Sequence, residues 1–393
     1  MAKRVFASVR PEILEWARLS AGVSLAAAAR TLKLEESTIS GWELGVESPS
    51  IPQLRGLAGL YKRPLAVFYL QQVPRNFQVL SDLRRARPGE DHAFSPALTY
   101  DIRAAQQRRR LAQELAEDLD DEVEPFAFRL GDTSAEDGGD AVRKFLGVSE
   151  DAIRKFGSDA TGRDAFNLWR KAIEDAGVLV FQSSKIPQSE ASGFALAYDE
   201  LPVVVVNRKD APQRRLFSLL HEFAHIALRQ SGVSDLKLAP DEPREDAEIE
   251  MRCNAIAASA LMPHALVQSE FDQALAAQGE LNDSAIAQIA RRFGVSRPAL
   301  LLRLVRMRRT TWDVYFEKDA QYKAEYERSI QNRPPAPPMK RNIPQESLSD
   351  LGRPFIGLVF GNYHQRKITL SDVAGYLGVR VKHIEALERK LAS

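Results

Sequence analysis

Leu216-Phe217-Ser218-Leu219-Leu220-His221-Glu222-Phe223-Ala224-His225-Ile226-Ala227-Leu228 is the stretch that decides how this chain folds. Its apolar residues flank His221 and His225 on both sides, which predicts a buried helix. Residues four apart share one face of a helix, so the two imidazoles can aim at a single metal ion with Glu222 beside them. The H-E-x-x-H spacing is that of a zinc site whose glutamate acts as general base, not as ligand. The plainer alternative is a pair of core histidines that fall four apart by coincidence.

A hydrolytic zinc site takes three protein ligands and keeps one position open. The segment Asp246–Met262 predicts the helix that supplies the third, because Ile249, Cys253, Ile256, Ala257, Ala260 and Leu261 recur at helical spacing. At about 100° per residue, Glu250 falls inside that apolar arc and Glu248 outside it. A carboxylate among core residues needs a partner, and zinc would be one; an arginine would be the ordinary alternative. Glu245, Asp246 and Glu248 read as solvated charges near a helix N-terminus. Cys253 is the only cysteine, which excludes an internal disulfide and fits a reducing compartment. It reads as a core thiol; a redox switch on the zinc is the sharper alternative.

The pentapeptide, followed by Glu250-Met251-Arg252-Cys253-Asn254-Ala255-Ile256-Ala257-Ala258 and Leu261-Met262-Pro263, resembles the ImmA/IrrE family of zinc endopeptidases. Gly193-Phe194-Ala195-Leu196, Leu201–Asn207 and Arg215-Leu216-Phe217 fit the same pattern, and the resemblance extends over about 130 residues. Ile256 stands where the family pattern usually has Phe. The resemblance implies a zincin-like α+β peptidase with one zinc ion per chain, held by His221, His225 and Glu250, and Glu222 as the catalytic base. It also implies a protein substrate of repressor or antitoxin type, whose loss switches on stress, mobile-element or toxin–antitoxin genes. An extended substrate can add to a sheet edge; the candidate edge strand is Gly193, Phe194, Ala195, Leu196, Ala197 and Tyr198, with an ordinary core hairpin as the alternative. His264 and Tyr198 are both open candidates for stabilising an oxyanion.

The first seventy residues carry a separate signal. Ser24 is placed to cap a helix Leu25–Leu32, and a second helix Glu35–Leu44 ends at Gly45. With Leu25, Ala28, Ala29, Leu32, Ile39 and Trp42 as core positions, the pair predicts a helix-turn-helix. Together with Gln53-Leu54, Leu57-Ala58 and Tyr61-Lys62-Arg63-Pro64 it resembles the XRE family of repressor-like domains. That resemblance makes Glu35–Leu44 the recognition helix, with Ser37, Thr38 and Ser40 toward DNA and Arg30 and Lys33 toward its backbone; Lys3 and Arg4 are further backbone candidates. Met1–Leu70 holds nine Lys/Arg against six Asp/Glu, a small excess for binding a polyanion. Double-stranded DNA is therefore one expected partner, and a protein-interaction or dimerisation module is the rival reading; a homodimer stays open.

Elsewhere the chain is less specific. Its 393 residues, 44% hydrophobic, allow several domains with real cores, and a net charge of +1 excludes broad polyanion binding as the main attraction. There is no apolar leader and no membrane-length run, so a cytoplasmic protein with no membrane partner is expected. Pro96–Asp120 predicts a polar helix whose Arg108-Arg109-Arg110 reads as a solvated face. A strand is expected at Phe126–Leu130, a Gly- and Asp-rich loop at Asp132–Asp140, and helices near Asp140–Leu146, Glu150–Phe156 and Arg163–Ala176. A further strand at Val178–Gln182 precedes a hairpin around Asp199-Glu200. Ser284–Arg306 and Thr369–Leu387 repeat a helix-turn-helix-like rhythm, and Pro334-Pro335-Ala336-Pro337-Pro338 predicts a stiff linker.

The expected fold class is multidomain. An all-α helix-turn-helix domain (1–70) and a helical connecting region (71–160) precede a mainly helical α+β zincin-like peptidase domain (161–310). A helical segment with the proline linker (311–345) and a small helical C-terminal segment (346–393) follow. The functional alternative to a peptidase is an XRE-type transcription regulator whose metal is sensory or structural. Only three ligands are evident where a structural zinc normally has four.

Overall fold

The computed structural model of the chain describes residues 6–73, 94–158, 161–234, 244–331 and 341–392. Lys3, Arg4 and the proline-rich stretch Pro334–Pro338 lie outside the described residues. The chain divides into two units, residues 1–107 with 185–187, and residues 108–184 with 188–393.

In the first unit, α1 (Pro11–Ser20), α2 (Leu25–Leu32), α3 (Glu36–Glu43) and α4 (Ile51–Leu60) enclose a core of Ile13, Leu14, Ala17, Ala28, Ala29, Ile39, Trp42, Leu54 and Leu57. The Ser24 hydroxyl accepts the Ala27 N–H at 3.1 Å and starts α2, since the first amides of a helix have no partner inside it. Lys33 turns the chain at φ 55° between α2 and α3. Arg18 grips Glu43 through two 2.7 Å hydrogen bonds and donates to the Val23 carbonyl, tying α1 to α3. Helix α5 (Pro96–Asp118) supplies residues to both units.

The second unit is built around a four-stranded mixed sheet in the order β1-β3-β2-β4. Strands β1 (Leu179–Ser183) and β3 (Val203–Asn207) run parallel, with Leu179 opposite Val203. Strand β2 (Gly193–Leu196) pairs antiparallel with β3 on one side and with β4 (Gly232–Ser234) on the other. The four consecutive valines of β3 are buried on both faces, as a central strand requires. Helix α9 (Pro212–Ala227) crosses β2 and β3 and packs between α8 (Arg163–Asp175) and α10 (Arg244–Leu261). Pro212 opens α9 at a position where its missing N–H costs nothing.

Four expectations are corrected here. Gly193–Tyr198 is not an edge strand: β2 has neighbours on both sides, and the sheet edges are β1 and β4. Phe126–Leu130 is extended but forms no strand. Phe126 N–H donates to the Asp199 carbonyl and Leu130 N–H to the Ala227 carbonyl, two unrelated partners that make no ladder. Much of Asp132–Asp140 is helical, in α6 (Ala135–Phe145), which Ser134 caps by accepting the Asp137 N–H. Gly138 and Gly139 serve a close crossing with α10: a Cβ on Gly139 would sit 2.6 Å from Ser259 Cβ and 2.7 Å from Ala260 N. Finally, Arg108 and Arg109 do not form a solvated face. Arg108 lies over the Phe181 ring, while Arg109 lies over Tyr198 and donates to the Glu200 carbonyl at 2.7 Å.

Helices after α10 continue the same unit: α11 (His264–Gln278), α12 (Asp283–Arg292), α13 (Arg297–Arg306) and α14 (Trp312–Gln331). Buried Arg303 of α13 holds Glu136 of α6 through both carboxylate oxygens and donates to the Met262 carbonyl at 3.0 Å. The C-terminal residues form α15 (Ile343–Leu351), α16 (Arg353–His364), α17 (Leu370–Leu377) and α18 (Ile384–Ala392). They belong to the same unit as the sheet and its helices. Helix α15 packs on β1, where Gln182 donates to the Ser349 carbonyl at 2.8 Å and Arg170 to the same oxygen at 2.6 Å. Gly352 makes that approach possible, since a Cβ there would lie 2.6 Å from Glu174 Oε1 and 3.1 Å from the Val180 carbonyl.

Candidate metal and active site

Helix α9 buries His221, Glu222 and His225 almost completely. The His221 and His225 Nε2 atoms are 3.1 Å apart. From α10, Glu250 places Oε2 3.1 Å from His221 Nε2 and Oε1 3.1 Å from His225 Nε2. The three side chains expected to meet are brought together, and Glu248 on the same helix is exposed.

The residues fit a metal ion. Zinc–nitrogen bonds of about 2.0–2.1 Å in a tetrahedron put neighbouring ligand atoms about 3.3 Å apart, close to the 3.1 Å spacings seen here. The electrostatics prepare the ligands as well. Burial pushes the His221 pKa down, against opposing hydrogen bonds to Glu250 and Asn254, which leaves the ring neutral with a lone pair to give. Burial alone would raise the Glu250 carboxyl, but hydrogen bonds from His221 and His225 outweigh it and hold the group at about 2, as a carboxylate. A neutral imidazole and an ionised carboxylate are the forms that bind metal.

Glu222 lies on the β2 side of this cluster. A Cβ on Gly193 would come within 3.0 Å of Glu222 Oε1 and 2.7 Å of the Val205 carbonyl, so the bare backbone of Gly193 makes room for the carboxylate. Gly232 of β4 lies against His225, although a Cβ there would meet the ring only at ordinary contact, 3.7 Å from Cε1. Asn254, one helical turn beyond Glu250, hydrogen-bonds His221. A partner of this kind orients a ligating ring. The sequence carried a signal for it, since the i, i+4 spacing puts Asn254 on the face of Glu250. No such signal marked the two glycines, because nothing in their local sequence says which helix crosses them.

Cys253 is wholly buried, and burial pushes its thiol pKa up, away from a reactive thiolate. The two open candidates for the oxyanion follow the ends of α10 and β2. His264 follows the end of α10 remote from Glu250, about 16 Å along the axis at 1.5 Å per residue. Tyr198 lies beyond β2, in a turn where its N–H donates to the Leu196 carbonyl, with its ring under Arg109. In the first unit, Arg30, Lys33 and Ser37 are exposed, and Thr38 and Ser40 half-buried.

Two buried histidines and a carboxylate converging at ligand spacing, with a glutamate beside them on the same helix, define a metallopeptidase-type centre. Residues 173–305 match the Peptidase M78 family, described as an IrrE N-terminal-like domain. Over 152 residues the chain is 33% identical to the radiation response metalloprotease IrrE of Deinococcus deserti, covering 38% of this chain. The match spans about half, 49%, of that relative's length. Residues 173–305 thus form a domain of the ImmA/IrrE family. Among the described residues, no helix is long and apolar enough to cross a membrane.

Proposed function

We propose that the chain is a zinc-dependent endopeptidase. The observation that carries this reading is the trio His221, His225 and Glu250 at 3.1 Å spacings, with Glu222 held beside it. Three ligands leave a position for reacting groups, which favours catalysis over a structural role. His221, His225 and Glu250 would hold the zinc ion, which would supply Lewis acidity toward a peptide carbonyl and water. Glu222 takes the proton of the attacking water on its carboxylate and returns it to the departing amine. The bare backbone of Gly193 leaves room for that carboxylate, and burial of His221 and His225 keeps their rings from turning away.

The substrate is proposed to be a protein, a transcriptional repressor or an antitoxin, which the enzyme removes to switch on the genes it silences. The first unit is proposed to bind double-stranded DNA through α2 and α3, with Ser37, Thr38 and Ser40 toward the bases and Arg30 and Lys33 toward phosphates. Arg18 supports that surface by engaging Glu43, which removes one of the three negative charges that α3 and its cap carry. Substitution of Glu222 tests the enzyme reading. Glu222→Gln is expected to retain about one zinc per chain by elemental analysis and to lose cleavage of the partner protein; full cleavage by this variant would refute the assignment.

A further inference from the structure

The C-terminal residues carry a charged surface that the peptidase reading does not use. Helix α17 and helix α18 are joined by a tight turn in which Gly378 sits at φ 63° and a short 3-10 segment, Val381–His383, leads into α18. Val373 and Leu377 of α17 and Ile384 and Leu387 of α18 are buried. The apolar sides of both helices therefore face inward and their polar sides face water. Thr369 caps α17 in a box with Asp372: the Thr369 N–H donates to the Asp372 carboxylate at 2.8 Å, and the Asp372 N–H returns to the Thr369 hydroxyl at 3.3 Å. Two short helices joined by a glycine turn, the first packed on α16 and the second on α15 and α16, follow one another as in a helix-turn-helix.

Four cations cluster on this motif, Arg366 and Lys367 leading into α17 and Arg380 and Lys382 leading into α18. All four are exposed, and none has a side-chain hydrogen bond or ion pair among the described residues. Other basic side chains of the segment are engaged: Arg341 with Glu346, Arg353 with the Leu391 carbonyl, Lys390 with Gln345. Between His364 and Ala392 there are six Lys/Arg (366, 367, 380, 382, 389, 390) against three Asp/Glu (372, 385, 388), in a chain balanced overall at 54 to 53. Exposed cations that no acidic side chain engages are available to an anionic partner and attract it to this face.

We propose that α17 and α18 form a second DNA-binding element, which takes duplex DNA with α18 in the major groove. A helix about 10–12 Å across fits a groove about 12 Å wide. In such a docking the residues that open the second helix, here Arg380, Val381 and Lys382, reach the groove, while the first helix crosses the phosphate backbone beside Arg366 and Lys367. Val381 is half exposed with nothing over it, which suits contact with a thymine methyl, and exposed Glu385 on the next turn can accept from a cytosine amino group. Duplex DNA is favoured over single strands because α17 and α18 carry no exposed Phe, Tyr or Trp for bases to stack on, and the nearby ring of His364 is engaged by Glu388 and stacked on Phe360. This proposal does not depend on the peptidase reading or on the first unit binding DNA.

The test uses the full chain and a fluorescent duplex of arbitrary sequence, about 24 base pairs long, with binding read by anisotropy as salt rises from about 50 to 200 mM. Wild-type protein is expected to bind in the range of about 1–100 μM typical of non-specific contacts, more weakly as salt rises. Replacing Arg366, Lys367, Arg380 and Lys382 together by Gln is expected to weaken binding at least tenfold. The slope of log K against log salt should become shallower by about 2, since Arg366 and Lys367 are the two phosphate contacts and each contributes about 0.9. The four positions are exposed and unpartnered, so the melting temperature should not change, which separates lost binding from lost folding. An Arg30→Gln/Lys33→Gln variant should keep the C-terminal share of affinity. Unchanged affinity and slope in the fourfold variant would overturn the proposal. So would equal losses on single strands of the same length, or binding that disappears with Arg30 and Lys33 alone.

Discussion

Replacing Gly139 with alanine measures how firmly α10, and with it Glu250, is held. The added Cβ would lie 2.6 Å from Ser259 Cβ and 2.7 Å from Ser259 C and Ala260 N. Ordinary contact begins at 3.4 Å, so α6 and α10 must separate by about 0.8 Å. Two of the three obstructing atoms are backbone and cannot swing aside. Alanine in a helix interior gains about 0.8–1.0 kcal/mol over glycine, while overpacking of this kind costs about 1–3 kcal/mol. A net loss of about 1 kcal/mol is expected, or a fall of about 2–4 °C in melting temperature for a body of this size. Gly375→Ala in α17 is the matched control, because no atom lies within 4 Å of its Cβ position and only the gain of about 1 kcal/mol applies. Urea and thermal unfolding of the full chain give both numbers. Zinc affinity by chelator competition should fall with Gly139→Ala and stay level with Gly375→Ala, since Glu250 rides on the displaced helix. Equal stabilisation by the two substitutions would show that the crossing is not tight and refute the reasoning.

Glu250→Ala should strip the metal and lower thermal stability, whereas Glu248→Ala should leave metal content unchanged by elemental analysis; the reverse would move the third ligand by two residues. Glu136→Ala strands the buried Arg303 guanidinium and should cost about 3–5 kcal/mol in urea unfolding, more than Arg303→Met, which leaves a half-exposed carboxylate that water can reach. Burial alone would raise the Glu136 carboxyl, but Arg303 and Ser259 outweigh it and hold its pKa below the usual value. Its folded pKa therefore lies under its unfolded one, so its stabilisation is present above the unfolded value and is lost as pH falls through the folded value. Acid titration of Glu136→Gln should accordingly show a shallower decline on the acid side. Removing residues 341–393 uncovers the outer edge of β1 and should turn a monodisperse protein into an aggregating one by light scattering.

The helix phase was readable wherever one face had to be buried. The four-residue step from His221 to His225, and the placing of Glu250 inside the apolar arc with Glu248 outside it, follow from 3.6-residue periodicity alone, and the structure has them so. Neighbour relations were not readable. The hairpin pattern around Asp199-Glu200 marks Gly193–Leu196 as a strand, but its second neighbour β4 has only three residues, too few to show in a sequence pattern. Gly138 and Gly139 suggested a loop, because a glycine that relieves a crossing looks the same in sequence as one that turns a chain. The docking of α15 on β1 depends on Gln182, Arg170 and Ser349, whose polar side chains and carbonyl give no hydrophobic signal.

That docking also sets an order of events during synthesis. Ser349 follows its partner Gln182 by 167 residues. At about 5–20 residues per second, the ribosome delivers it about 8–33 s later. Throughout that interval the Arg170 and Gln182 side chains lack the Ser349 carbonyl that later joins them. A nascent chain in that condition is a natural client for holding chaperones, and a message truncated before α15 would yield a sheet that is never sealed.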